Sequence, residues 1–284
     1  MIYVGVTGWG DHDILYSQVP AHQKLAVYSE HFPVVEVDSS FYAIQPQKNY
    51  EKWLHDTPEG FRFVVKAYQE MTGHRRGEGT FDSKEELFAA YRHSIEPMRV
   101  SGRLGAILCQ FPPWFDCTRE HVAVLRDMKR RLSDLPLALE FRHQSWFHNG
   151  MREKTLQFMK EEQWIHSVCD EPQAGDGSIP IVPVATSETA TLIRFHGRNT
   201  AGWQRQGRTR EEWRKVRCLY KYSERELREW IPLIQKLTKA SDNVYILFNN
   251  NSAGDAVPNA KQLIELLNLD QTDRLAAKQL DLFD

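Results

Sequence analysis

Seven ionisable residues stand inside or just after short apolar runs of the sequence: Glu36 in "VVEVDSS", Lys66 in "FRFVVKA", Glu140 and Arg142 in "PLALEFRH", Asp170 in "WIHSVCD", and Arg194 and His196 in "ATLIRFHG". Carboxylates and an imidazole move protons, whereas guanidinium and ammonium groups hold anions. Brought together, Arg142, Arg194 and Lys66 would hold an anion, one of Glu36, Glu140 or Asp170 would transfer a proton, and His196 would serve as a second acid or base. Gln110, Asn249 and Asn250 at the ends of further apolar runs, with Trp9, Tyr42, His143 and Trp146 in the intervening loops, are candidate substrate contacts.

Such residues meet only if the runs are strands of one sheet. Eight runs qualify, at 2–8, 34–40, 61–67, 104–111, 136–143, 164–170, 190–197 and 244–251, each bounded by turn-forming residues and short enough for a buried strand. Between them lie helical patterns, such as Phe88, Tyr91, Ile95 and Met98 behind Ser83 and Glu86, and Leu227, Trp230, Ile231 and Ile234 behind Ser223 and Glu226. Pro258 stands where the first turn of a last helix would begin. Alternating strands and helices predict a parallel sheet, here an α/β TIM (β/α)₈ barrel of residues 1–268 followed by a tail, 269–284. The sixth unit is irregular, with turns and "PIVPVA" at 171–189 where a helix belongs, and Pro232 interrupts the seventh. An open doubly wound sheet is the alternative, without a GxGxxG turn after the first strand to favour it.

Strand alternation places Glu36 opposite Val35 and Val37. It sets Ala138, Glu140 and Arg142 on the barrel axis against Leu137, Leu139 and Phe141, and Arg194 with His196 inward against Ile193 and Phe195. Lys66, Gln110 and Asp170 come late in their strands, at the mouth where barrel enzymes carry their chemistry. The same charges could instead form an inert ion-pair plug, since burying ions in pairs often only breaks even against an apolar core. A divalent metal on Glu36, Glu140, Asp170 and His196 is also open, but Lys66, Arg142 and Arg194 would bring positive charge into the same cup, which favours an anion.

Composition limits the setting. Hydrophobic residues are 41% and charged residues 26% of 284, with a net charge of −2, so any nucleic-acid contact must be local. Cys109, Cys117, Cys169 and Cys218 form no CxxC pair and read as reduced structural thiols. The opening "MIYVGVTGWGDHD" lacks a signal peptide's basic and apolar regions, and no run has membrane-spanning length, so a cytoplasmic location without membrane contact is expected.

In order along the chain, "EVDSSFY", "FVVKA", "LGAILCQFPPWF", "EFRHQSW", "RFHG" and "FNN" resemble the YecE-like domain-of-unknown-function family, over the chain up to about residue 268. The resemblance implies a TIM barrel and leaves the reaction open. The positions that match its motifs are Glu36, Ser40, Tyr42, Lys66, Gln110, Glu140, Arg142, His143, Trp146, Arg194, His196, Gly197 and Asn249. In "MTGHRR" the family's Thr-His pair is split by Gly73. The fold is similar to that of metal-dependent abasic-site endonucleases, an analogy that transfers no mechanism.

Two further segments point outward. From Arg198 to Tyr222, eight Lys or Arg residues alternate with Trp203, Trp213, Tyr220 and Tyr222 and only two acids, a composition suited to phosphates and bases, or to an ordinary solvated helix. His74, Arg75 and Arg76 would join that rim. Near the end, Gln279, Leu280, Asp281, Leu282 and Phe283 spell QLDLF, which resembles the peptide by which bacterial replication and repair proteins hold the sliding clamp; docking of the tail on the barrel is the alternative. The expectation is a DNA-associated hydrolase or lyase acting on a phosphate-bearing substrate, DNA or RNA included, and recruited by the clamp. The alternatives are a metal-independent lyase, isomerase or hydrolase for a small anionic metabolite, and a non-catalytic DNA and clamp adaptor.

Overall fold

The computed structural model describes residues 1–75, 77, 79–148 and 150–269. Eight strands, β1 (Ile2–Thr7), β2 (Val34–Val37), β3 (Arg62–Lys66), β4 (Leu104–Gln110), β5 (Leu137–Glu140), β6 (Ile165–Asp170), β7 (Ala190–Phe195) and β8 (Asn243–Phe248), close into a barrel in chain order. Every neighbouring pair is parallel, and β8 returns to β1 with Val4 opposite Ile246. The TIM barrel expected from the alternating pattern is the observed fold.

Outside it run α1 (Lys24–Ser29), α2 (Ser39–Tyr42), α3 (Gln47–His55), α4 (Lys84–Val100), α5 (Arg119–Arg131), α6 (Met151–Glu161), α7 (Thr200–Trp203), α8 (Arg210–Arg217), α9 (Glu224–Thr238) and α10 (Ala256–Leu266). The Ser83 side chain accepts a hydrogen bond from the Glu86 N–H, and Ser223 with Glu226 completes a reciprocal capping box. Pro232 sits inside α9, and Pro97, unflagged by sequence, inside α4; neither ends its helix. No helix forms between β6 and β7, as the turn-rich 171–189 segment implies. Among the described residues no helix is long and apolar enough to cross a membrane.

The barrel interior divides into two levels. Its lower part is apolar, packed by Tyr3, Val34, Val64, Ala106, Leu108, Ala138, Ile165, Leu192, Tyr245 and Leu247. Above them, toward the C-terminal mouth, the inward row changes character to Glu36, Glu140 and Arg194. The opposite faces of the strands bury Val35, Val37, Leu137, Leu139, Ile193 and Phe195 against the helices. This two-sided burial gives near-continuous apolar runs interrupted only where the inward row turns ionic.

Candidate functional site

At the upper level, Arg194 lies between two carboxylates. Its Nη2 and Nε donate to Glu36 Oε1 and Oε2 at 2.6 and 2.9 Å, and its Nη1 donates to Glu140 Oε2 at 2.9 Å. Glu140 also accepts from Gln110 Nε2 at 2.5 Å and Ser167 Oγ at 3.0 Å, and forms an ion pair with Arg142, Nη2 2.6 Å from Oε1. Arg142 extends the chain of pairs to Glu171, whose other oxygen accepts the Ile179 N–H at 2.8 Å. All five charged side chains are buried.

The environment separates the carboxyls. Burial alone would raise Glu140, but Arg194 and Arg142, with the His196 contact, outweigh it and hold Glu140 well below the usual carboxylate range. Burial prevails at Glu36 and Glu171, each pushed up to about 7 despite Arg194 beside the first and Arg142 beside the second. His196 is neutral, its pKa driven down by burial and by Arg142 and Arg194. Its Nε2 lies 2.9 Å from Arg142 Nη2 and 3.3 Å from Arg194 Nη1. Guanidinium nitrogens only donate, so Nε2 must be the acceptor and the ring proton must sit on Nδ1. The Asn249 amide nitrogen is placed 2.9 Å from Nδ1, and a proton on Nδ1 requires the amide to be flipped so that its oxygen accepts.

Among the described residues, Glu140, Cys169 and His196 bring possible metal-ligand atoms within 4.8 Å of one another. The set does not fit a divalent cation: its histidine lone pair and both carboxylate oxygens already face Arg142 and Arg194, and burial holds the Cys169 thiol well above its ordinary pKa.

Over this network opens a cavity of about 1050 Å³. Lys66, Gln110 and Arg142 contribute from the strand ends, Phe41 and Tyr42 from α2, and His74 and Trp114 from the β3 and β4 loops. The Arg198 to Tyr222 segment supplies Trp203, Arg205, Arg210, Trp213, Arg214 and Arg217. Among the described residues Asp176 is the one acid in the lining, against Lys66, Arg142, Arg205, Arg210, Arg214 and Arg217. Arg217 lies against two indoles, its guanidinium carbon 4.6 Å from the Trp203 ring centre and 4.8 Å from that of Trp213. It has no carboxylate in ion-pairing range among the described residues, and its Nε is buried without a hydrogen-bond partner. Gly202 makes this arrangement possible: a Cβ there would meet Val216 O at 2.4 Å and Asn199 Nδ2 at 2.7 Å, so only glycine lets α7 press against the end of α8.

Comparison with known proteins fits this architecture. The family described as "Protein of unknown function DUF72" matches residues 3–281. The chain belongs to the DUF72 family. A curated relative, UPF0759 protein YunF of Bacillus subtilis, is 56% identical over 284 residues, covering all of both chains. UPF0759 protein YecE of Escherichia coli O157:H7 is 24% identical over 69% of this chain and 74% of its own. The crystal structure of a DUF72 family protein from Enterococcus faecalis superposes with a TM-score of 0.88 at 38% identity, covering 95% of this chain and 96% of that one. Another from Thermotoga maritima gives 0.78 at 28%, covering 95% and 100%.

In this DUF72 barrel the sequence-predicted residues divide into groups. Tyr42, Lys66, Gln110 and Arg142 line the cavity, whereas Glu36, Glu140, Arg194 and His196 lie beneath it. Arg194 therefore does not hold an outside anion, because its donors already serve Glu36 and Glu140; nor is His196 an available base, because its lone pair is committed. Asp170 points the other way. It accepts from Arg198 Nη2 at 2.7 Å and from Trp230 Nε1 of α9 at 2.8 Å, and β6 turns Ser167 inward instead. Trp146 is buried against Phe141 and Phe115 in the helix layer, and Asn250 is buried bonding Tyr220 O and Asn259, so neither meets a ligand. Trp9 packs on Trp53, His143 caps its own turn through Ser145, and Asn249 serves His196; none of the three lines the cavity.

Of the further site residues, Trp203 and Trp213 stand in the basic, aromatic 198–222 segment that the sequence marks as suited to phosphates and bases, Arg217 is one of that segment's unnamed cations, and Glu171 carries no sequence signal. His74 does reach the cavity. Gly73 at φ +71° turns the backbone so that Thr72 Oγ1 meets His74 Nδ1 at 2.9 Å, restoring in space the pair that the sequence splits. Burial, then Lys66, Arg142 and Arg217, push His74 down to about 3, so it is neutral. Arg75 pairs with Glu70 instead of facing the cavity. Arg76 and the QLDLF residues Gln279, Leu280, Asp281, Leu282 and Phe283 lie outside the described residues.

Proposed function

We propose that the mouth binds a phosphate-bearing ligand with a flat ring, as nucleotides and single-stranded nucleic acids present, and that the protein acts on it as a hydrolase or lyase. The observation that carries this reading is Arg217, a guanidinium without an ion-pair partner among the described residues, set against Trp203 and Trp213 in the wall of a cavity lined with cations. A planar guanidinium already oriented and partly desolvated matches a phosphate's oxygens at little ordering cost. Phe41, Tyr42 and Trp114 bring aromatic side chains to the same cavity. Arg142 and Lys66 add charge at the floor, while the network of Glu36, Glu140, Glu171 and Arg194 supports that floor from below. We further propose that QLDLF recruits the protein to a sliding clamp, on the sequence alone.

Calorimetric titration with a nucleoside monophosphate and with a short oligothymidylate tests the mouth. Arg217→Gln should weaken binding of whichever probe fits by about tenfold or more, the loss of one charged hydrogen-bond donor, with the melting temperature near wild type. Unchanged affinity in that variant would refute the reading. Tighter binding of the oligonucleotide, weakening with salt, selects nucleic acid over a small metabolite.

A further inference from the structure

We infer that Lys66 is a carbonyl-trapping lysine: its amine adds to an aldehyde or ketone of the phosphate-bearing ligand and forms an imine. The inference rests on the proposed anion site, which brings the phosphate to the cavity, and goes beyond it by naming the bond that forms. Lys66 is the last residue of β3 and lines the cavity with its side chain 14% exposed. Its ammonium position is 4.6 Å from the centre of the Phe41 ring, and the nearest carboxylate oxygen among the described residues, Asp38 Oδ1, is 4.0 Å away, at the limit of an ion pair. The acids beneath it are committed elsewhere, Glu36 to Arg194 and Glu140 to Arg142, Arg194 and Gln110.

Other lysines contrast with it. Lys52 pairs with Asp56, Lys215 with Glu211, and Lys24 donates to Gly10 O, all at exposed sites. Burial and the Arg194 charge lower the Lys66 pKa, outweighing Asp38, Glu36 and Glu140, which act to raise it. Cationic, desolvated surroundings are those that free an amine for nucleophilic attack.

The step balances without redox chemistry. The nitrogen lone pair forms the C–N bond while the carbonyl π pair moves to oxygen, which takes a proton. The carbinolamine then loses that oxygen as water, leaving C=N. Asp38, water-accessible and nearest to Nζ, is placed to take the amine's proton and return it to the leaving hydroxyl. Glu36, Glu140 and His196, sealed below, take no part in these transfers.

Pyridoxal 5′-phosphate is a suitable probe because it carries an aldehyde, a phosphate and a flat ring. The full-length protein is incubated with it, reduced with borohydride and mapped by peptide mass spectrometry, with phosphate-free pyridoxal in parallel. Lys66 should be modified faster than Lys52 or Lys215, since a lowered pKa leaves more of its amine free to attack and the cavity holds the probe's phosphate beside it. Its labelling should slow with pyridoxal and on competition by inorganic phosphate, and disappear in Lys66→Arg while surface labelling continues. Labelling of Lys66 no faster than the surface lysines overturns the inference, a comparison that wild-type protein decides even if the variant misfolds. Calorimetric binding of the probe that phosphate displaces, without Lys66 modification, removes the imine and leaves the anion site standing. Neither binding nor modification removes both.

Discussion

At the scale of single residues, the barrel separates charges that support from charges that can meet a ligand. Arg194 neutralises two buried carboxylates, so Arg194→Met should destabilise the fold by about 3–5 kcal/mol at pH 8, the cost of leaving buried charge uncompensated. Glu36 already sits near pH 7 with Arg194 beside it, and rises further without it. A folded-state pKa above the unfolded value costs nothing below the unfolded value and costs progressively more as pH rises through the folded one. Urea unfolding of the variant should accordingly show a smaller deficit at pH 5 than at pH 8; a deficit independent of pH would mean that the carboxylates find other partners. Alternation made Glu36, Glu140 and Arg194 legible as one inward row. It could not show that they would satisfy one another, because hydrogen-bond partners across β2, β5 and β7 depend on barrel register. Asp170 comes late in its strand but faces outward, which the sequence does not reveal because β6 is buried on both sides and its polarity does not alternate.

At the scale of elements, the capping signals at Ser83 and Ser223 and the missing sixth helix could be read directly, since each depends on neighbours within a few residues. The site on α7 and α8 could not, since it depends on contact between two short helices. Gly202 is the position where that contact is decided. Gly202→Ala would place a methyl group against the Val216 carbonyl and should cost about 1–3 kcal/mol as overpacking, measurable by thermal unfolding. Because the strain falls on the Trp203 and Arg217 contact, probe affinity should drop in parallel at a temperature where the variant is still folded. Full affinity in a destabilised Gly202→Ala protein would detach that contact from ligand binding. Ser223→Ala offers the contrast: it should remove about 1 kcal/mol through the α9 cap without changing affinity.

At the scale of the whole molecule, a chain of net charge −2 gathers positive charge at the cavity mouth, so that its field is local and directional. The proposed clamp recruitment would be a second kind of contact, separate from the mouth. The QLDLF sequence sets Leu280, Leu282 and Phe283 close together, groups whose binding energy is realised only in preformed apolar pockets, while Gln279 supplies an amide for a fixed hydrogen bond. Such a peptide should bind on its own, because short linear motifs carry their anchors without help from the folded domain. A peptide of residues 270–284 titrated against a purified bacterial sliding clamp should therefore bind saturably, and changing Leu282 and Phe283 together to alanine should weaken it about tenfold or more. The same pair of changes in the full chain should leave phosphate-probe binding at the mouth untouched, since the proposed recruitment makes no use of Arg217. Equal binding by the two peptides would end the recruitment proposal, and a loss of probe binding in the full-length variant would show that the tail serves the barrel instead.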